Sequence, residues 1–446
     1  MTAQVGRFFD GGASGTAFAT STNGGASFTS GALPGLTNQA PIGGGSFDRT
    51  TDPVVAYDAK HGIWMISSLG LTDPGRLGAA VVVNRSADGK NWGNPDTVSA
   101  APPGADYDKN WVACDNTATS PFYGNCYHTW DDFGDGDRIL MSTSSDGGLT
   151  WSAPIKTEKR VYGLGGQPLV QPNGTVIIPA ANAFETSIIA FRSTDGGTSW
   201  GDEVIVSHVR EHGEPGNLRD GPLPSSEIGS NGRVYTVWND CRFSKGCKTN
   251  AIVMATSDDG VAWSDARRVP IDDGGDQFIP GLGVKPDTTG QLGLTYYFYA
   301  DPECGGKATD PCVLQVGYVQ SNDGGATWSD PQTLAGPFPC DLDARHEPGP
   351  HGRRLHLDLV GRVGGLRGVR CGEAPNGIRL RPEHLCPEGR RERELVPESQ
   401  DEGAVVLRQR RQARQHALGD PPRAQGEVRP GDPELSGSRS PPVRRS

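Results

Sequence analysis

One short pattern recurs six times before residue 330 and narrows the fold more than any other feature of the chain. Ser-x-Asp-Gly, a few small residues and then an aromatic ring occupy Ser21–Phe28, Ser86–Trp92, Ser144–Trp151, Ser193–Trp200, Ser257–Trp263 and Ser321–Trp328. The first copy has Asn23 in the Asp position and Phe28 in place of Trp. The aromatic positions lie 49 to 65 residues apart, room for four short strands and their turns. The chemistry accounts for each residue. The Asp carboxylate accepts backbone N–H groups two or three residues on and fixes a hairpin. Gly supplies the positive φ that such a turn demands. The ring folds back and packs between neighbouring units, where it buries a large apolar area.

Between the copies, short β-branched and aromatic runs alternate with turn residues, as in Asp52–Tyr57, Ile63–Ser67 and Ala79–Asn84. The same order of runs recurs around Trp111, Gln167, Pro222 and Phe278, and no convincing amphipathic helix interrupts it. An all-β fold follows.

Composition breaks at Cys340. All 32 aromatic residues precede it, whereas residues 341–446 hold no aromatic and no Lys, yet carry 20 of the 42 basic residues, all Arg. The chain therefore divides into a body, 1–340, and a tail, 341–446. The tail reads as disordered sequence, or as the product of a reading-frame error in GC-rich coding DNA, since Arg, Gly and Pro have GC-rich codons. The body has 22 basic against 37 acidic residues. That balance excludes a nucleic-acid or anionic-membrane surface, which needs clustered cations. No apolar run is long enough to span a bilayer as a helix.

Three close cysteine pairs, Cys114 with Cys126, Cys241 with Cys247 and Cys304 with Cys312, sit in polar loops. Zinc sites commonly use CxxC, and none occurs, so local disulfides and an extracellular or cell-surface location are expected. The opening residues carry no signal-peptide pattern, which predicts a start placed too late. Asp131–Asp137 has a calcium-loop look but lacks the spacing and closing Glu of an EF-hand, and reads as a hairpin turn. Gly11–Gly15 follows no βα pattern and is no phosphate loop. Neither a metal nor a cofactor is expected.

The six motifs resemble the Asp box, or bacterial neuraminidase repeat, of the sialidase-like β-propeller family, over roughly residues 15–335. The resemblance implies a β-propeller of six or seven four-stranded blades with a truncated first blade. In it Asp88, Asp146, Asp195, Asp259 and Asp323 are structural. It further implies a monomeric exo-alpha-sialidase type of glycoside hydrolase, or a degenerate relative, acting on terminal acidic sugars of glycans. The alternative is a non-catalytic propeller that binds glycans or proteins. Substrate in the family binds on the face away from the boxes, where strand 1 starts and strand 2 ends. On that face Arg49, Arg219 and Arg242 are candidates to clamp a sugar carboxylate. Asp52, Asp131 and Asp240 are acid/base candidates. Tyr297 or Tyr299, activated by Glu227, is a candidate nucleophile. The family's Arg-Ile-Pro motif near the first blade is missing, and Arg7 is the nearest arginine.

Overall fold

The repeat dictates a series of hairpins, and antiparallel sheets are what they build. A computed structural model describes residues 1–339 except 9, 40–43, 74–75, 158, 160, 215–219, 272–274, 302–303 and 305–312. All of these lie in one unit, Met1–Leu380. Cys312, Arg219 and the tail fall outside the described residues.

The first meander holds β1 (Thr2–Arg7), β2 (Ala13–Thr20) and β3 (Thr29–Ala32). The second holds β4 (Arg49–Asp58), β5 (Ile63–Thr72), β6 (Leu77–Ser86) and β7 (Asp96–Ala100), and the two join through one pair, Ala13 with Thr50. A three-stranded sheet follows, of β8 (Tyr107–Cys114), β9 (Cys126–Asp132) and β10 (Arg138–Ser144). In the next, β13 (Val176–Asn182) pairs with β14 (Ser187–Ser193), which pairs with β15 (Val204–His208). On its other side β13 pairs with two short pieces, β11 (Gly163–Leu164) and β12 (Leu169–Val170). The sheet of β16 (Ser225–Ile228), β17 (Val234–Asp240), β18 (Ala251–Ser257) and β19 (Arg267–Arg268) comes next. The last described sheet is β20 (Gln277–Val284), β21 (Leu292–Tyr299), β22 (Val313–Ser321) and β23 (Gln332–Pro339). Among the described residues every strand pair within these sheets is antiparallel, and one 3₁₀ turn, Phe133–Asp135, is the helical content. The expected all-β character and strand runs are found. Asp131–Asp137 forms the β9–β10 hairpin, as its sequence predicts.

Consecutive sheets pack face to face, and each interface holds one motif tryptophan. Trp92 packs with Phe18, Ile66 and Val82, between the first two meanders. Trp151 joins Met65, Val83 and Trp130, Trp200 joins Tyr127, Ile139 and Ile178, and Trp263 joins Ala190, Trp238 and Val253. Trp328 packs on Met254, Leu294 and Val319. Both faces of the central strands are thereby buried, which explains their near-continuous apolar runs.

The turns themselves are held as the motif chemistry requires. Asp88 Oδ1 accepts the amides of Lys90 and Asn91, each at 2.8 Å, while Ser86 Oγ accepts the Gly89 amide. Asp259 repeats this with Val261 and Ala262, and Asp323 accepts both the amide and the hydroxyl of Thr327. Asp146 and Asp195 accept the amides of Thr150 and Ser199. The turn is also a joint to the preceding sheet. At Gly260 (φ +72°) an added Cβ would lie 2.7–3.0 Å from three Ile177 carbons, and at Gly148 it would lie 2.6 Å from Met65 Sδ. Glycine is needed there twice over, for conformation and for space.

Disulfides link Cys114 to Cys126, across the end of β8 and the start of β9, and Cys241 to Cys247, in the loop after β17. Cys304 is also disulfide-bonded. No helix among the described residues is long and apolar enough to cross a membrane.

Candidate functional site

Opposite the motif turns, the start of each first strand and the end of each second strand meet. Three first strands carry the same irregularity there. β4 bulges after Thr51, β8 after Asp108 and β20 after Phe278. Each bulge contains a non-glycine residue at positive φ: Asp52 at 48°, Lys109 at 54° and Ile279 at 46°. For β-branched Ile279 this is a true conformational outlier. Bulges re-aim side chains, and repeated strain at one level of the fold is typical of a functional rim.

The second strands end in a repeated arrangement too. Asp132, Asn182 and Asp240 close these strands and cap the following loops. Asp132 accepts the amides of Asp106 and Gly134, Asn182 those of Thr186 and Ser187, and Asp240 those of Arg210 and Arg242. The preceding residue in each strand, Asp131, Ala181 or Asn239, lies opposite an isoleucine, Ile139, Ile188 or Ile252. Alternation along a strand turns this residue to the other face from the cap. Two of these three inward positions are polar, and both carry unmet hydrogen-bonding atoms. Asp131 is 1% exposed, and neither carboxyl oxygen accepts a hydrogen bond. Asn239 is fully buried, and neither its Oδ1 nor its Nδ2 has a hydrogen-bond partner.

Asp131 stands directly across the β8–β9 ladder from Asp108. Cβ atoms of such a pair are about 5 Å apart, and like charges facing this way repel. Burial pushes the Asp131 carboxyl well above its ordinary range, and Asp108, Asp137 and Asp52 push it further, against Lys109. The shift favours the protonated acid over the carboxylate. Asp108 itself is one-third exposed, with Lys109 Nζ 3.1 Å from Oδ2.

The other anticipated site residues are placed differently. Asp52 accepts the Thr51 hydroxyl at 2.9 Å and contributes to the field on Asp131. Asp240 is fully buried and, besides its capping bonds, accepts Arg242 Nη2 at 2.6 Å and the Trp238 indole. Arg49 is held by Asp10 at 2.6 Å, Asp73 at 3.1 Å and the Gly11 carbonyl, beneath the Phe8 ring. Arg242 is held by Asp240 and the His208 carbonyl. The two arginines share no described partner and sit in separate networks. Tyr297 and Tyr299 pack with Phe278 in one aromatic cluster, where burial raises the Tyr297 hydroxyl above its ordinary range. Glu227 lies across from Tyr235 in the β16–β17 pair.

A second acidic group lies around the segment after β15, and the sequence reading missed its two glutamates. Burial, then Asp220, pushes Glu211 up to about 8. Burial, then Asp276, pushes Glu214 up to about 9, and burial raises Asp220 to about 6. Glu and Asp spaced through an aperiodic loop read as solvated charge; the one available signal was Glu-x-x-Glu between Gly, Pro and His.

These shifts set a pH dependence. Carboxyls raised in the folded state take up a proton on folding, so stability falls as pH rises from about 4 toward 9. The motif turns act oppositely: Thr327 holds Asp323 down at about 2, so its contribution is lost as pH falls from about 4. Thermal stability is therefore expected to peak near pH 4–5 and to decline toward pH 9. Scanning calorimetry across that range checks this, and Glu214→Gln is expected to flatten the alkaline decline.

No protein-family model matches the chain. Among solved structures it is similar to a protein of unknown function from Dyadobacter fermentans, at 17% identity and TM-score 0.44, covering 69% of this chain and 84% of that one. It is also similar to the alpha-L-arabinofuranosidase Arb93A of Fusarium graminearum (16%, TM-score 0.38, 53% and 68%). A third is the NanB sialidase of Streptococcus pneumoniae (10%, TM-score 0.43, 65% and 62%). At such identities and TM-scores these matches assign neither activity nor substrate to the chain.

Proposed function

We propose that this chain is a secreted β-propeller glycoside hydrolase in which Asp131 is the proton donor and Asp108 the partner carboxylate. Asp131 carries the reading. A buried carboxyl kept for structure alone would be hydrogen-bonded, because an unmet one costs about 1–3 kcal/mol. Held neutral beside a second carboxyl on one face of a ladder, it has the attributes of a glycosidase acid. In that role Asp131 passes its proton to the leaving glycosidic oxygen. Asp108, steadied by Lys109, either attacks the sugar carbon as the protonated leaving group departs, water then opening the ester with Asp131 as base, or directs water to that carbon itself.

The propeller reading rests on the stacking of successive sheets, one motif tryptophan per interface, and six motif copies at blade spacing. Disulfides fit an oxidising compartment. A terminal neutral sugar is the proposed substrate. Arg49 and Arg242 already face carboxylates, so a sialidase-type clamp would need guanidinium groups beyond these two, with Arg219 the remaining candidate.

One observation favours glycan binding without hydrolysis. Phe133, Phe184 and Phe243 are 40%, 68% and 45% exposed, each in the loop after the second strand of its sheet. Rings so placed offer stacking platforms to a sugar. A fluorogenic panel tests the choice, comparing sialoside, alpha-L-arabinofuranoside and neutral hexosides with the full chain. Cleavage of a neutral glycoside in preference to the sialoside is expected. Cleavage of the sialoside alone would return the reading to acidic sugars. Glycan-array binding without any cleavage would establish a binding module.

A further inference from the structure

The bulge in β8 takes one cation out of the ladder and buries it. Lys109 and Asn110 together stand against the single residue Trp130 of β9. Asn110 anchors one side of the bulge: its amide donates to Ser67 Oγ at 2.7 Å, and Ser67 Oγ is 2.6 Å from His128 Nε2. Asp108 anchors the other, with Oδ1 accepting the Lys109 amide at 3.0 Å and Oδ2 the Lys109 ammonium at 3.1 Å. Between these anchors Lys109 is held at φ +54°, which a residue with a Cβ adopts only under constraint.

An ammonium kept only as the partner of Asp108 would gain by reaching water with its other donors. The Lys109 side chain is instead 9% exposed, whereas that of Asp108 is 34% exposed. Of the three ammonium donors one meets Asp108, and two have no acceptor among the described residues. Directly across the ladder from Asp108, Asp131 has two oxygens that accept nothing. Spare donors and spare oxygens thus flank one partly exposed carboxylate, the group that a ligand meets first.

We infer that Lys109 selects the substrate of this site, its ammonium donating hydrogen bonds to two adjacent hydroxyls of a neutral sugar. The inference rests on the hydrolase reading for the place of the sugar, and adds the residue that recognises it. A hydroxyl both donates and accepts, so it can take a bond from the ammonium and give one to an Asp131 oxygen. An anionic group fits worse. Asp108 already balances the Lys109 charge, and Asp52 adds a negative charge close enough to act on Asp131. Using both spare donors takes two hydroxyls, which turns the site against deoxy sugars.

Rapid-mixing fluorescence titration of the full chain with 4-methylumbelliferyl glycosides of neutral sugars tests this, with cleavage followed on the same samples. Single-deoxy forms of the glycoside bound most tightly are then compared in wild type, Lys109→Met and Lys109→Arg. Wild type is expected to lose about tenfold in affinity at each of two adjacent deoxy positions, the worth of a charge-assisted hydrogen bond. Lys109→Met is expected to bind the parent glycoside about 100-fold more weakly and to be indifferent to those two positions. Lys109→Arg keeps charge and donors, and is expected to recover most of the loss. Parent binding unchanged in Lys109→Met, or deoxy losses that persist in it, would overturn the assignment while cleavage by wild type leaves the hydrolase reading standing. Binding that depends on Lys109 in this way, with no cleavage, would remove the hydrolase reading and support the assignment. No binding of any glycoside by wild type would overturn both.

Discussion

Asp131→Asn is expected to lower glycoside hydrolysis by about 10²–10⁴-fold, the usual contribution of a positioned acid, while making the protein more heat-stable above neutral pH. The two effects have one cause. Asp131 must be protonated to sit without hydrogen bonds opposite Asp108, and folding above about pH 4 has to supply that proton. Asparagine is already neutral and nearly the same size, so the folding penalty vanishes along with the proton donor. The gain in melting temperature is expected to be small at pH 4 and to grow with pH. A structural aspartate would behave in the opposite way, losing stability on substitution at every pH above its pKa. Steady-state kinetics and calorimetry on the same sample separate the two.

Trp200→Ala is expected to destabilise the chain by about 3–5 kcal/mol, the cost of emptying a fully packed aromatic site. Trp200 is buried among Tyr127, Ile139, Ile178 and Phe191 where two sheets meet, with Phe191 edge-on at 5.7 Å. Neither sheet can fill the gap without moving relative to the other. Urea denaturation gives the number; a loss below about 1 kcal/mol would mean that the interface closes around the cavity and that the ring is not its keystone.

The fold was legible because its information is local. A turn built from Ser, Asp and Gly within five residues needs no distant partner, and six copies disclose the strands between them. The site was legible only in part. Trp130-Asp131-Asp132 and Trp238-Asn239-Asp240 look alike as text, and both offer acid/base candidates. What separates Asp131 from Asp240 is the partner set: Arg242 and three further donors surround one carboxyl, while none reaches the other. That difference lies in side-chain packing, which spacing does not record. Arg49 illustrates the same limit, since its partners Asp10 and Asp73 lie 39 and 24 residues away. Glu211 and Glu214 went unread because burial, which gives them their chemistry, leaves no period in a loop.

The account turns on Asp131 being a neutral acid in the folded protein. Difference infrared spectroscopy of wild type against Asp131→Asn at pH 7 measures this directly through the carboxyl C=O stretch. A protonated-carboxyl band present in wild type and missing from the variant is the predicted result; a carboxylate band lost in its place would contradict the account.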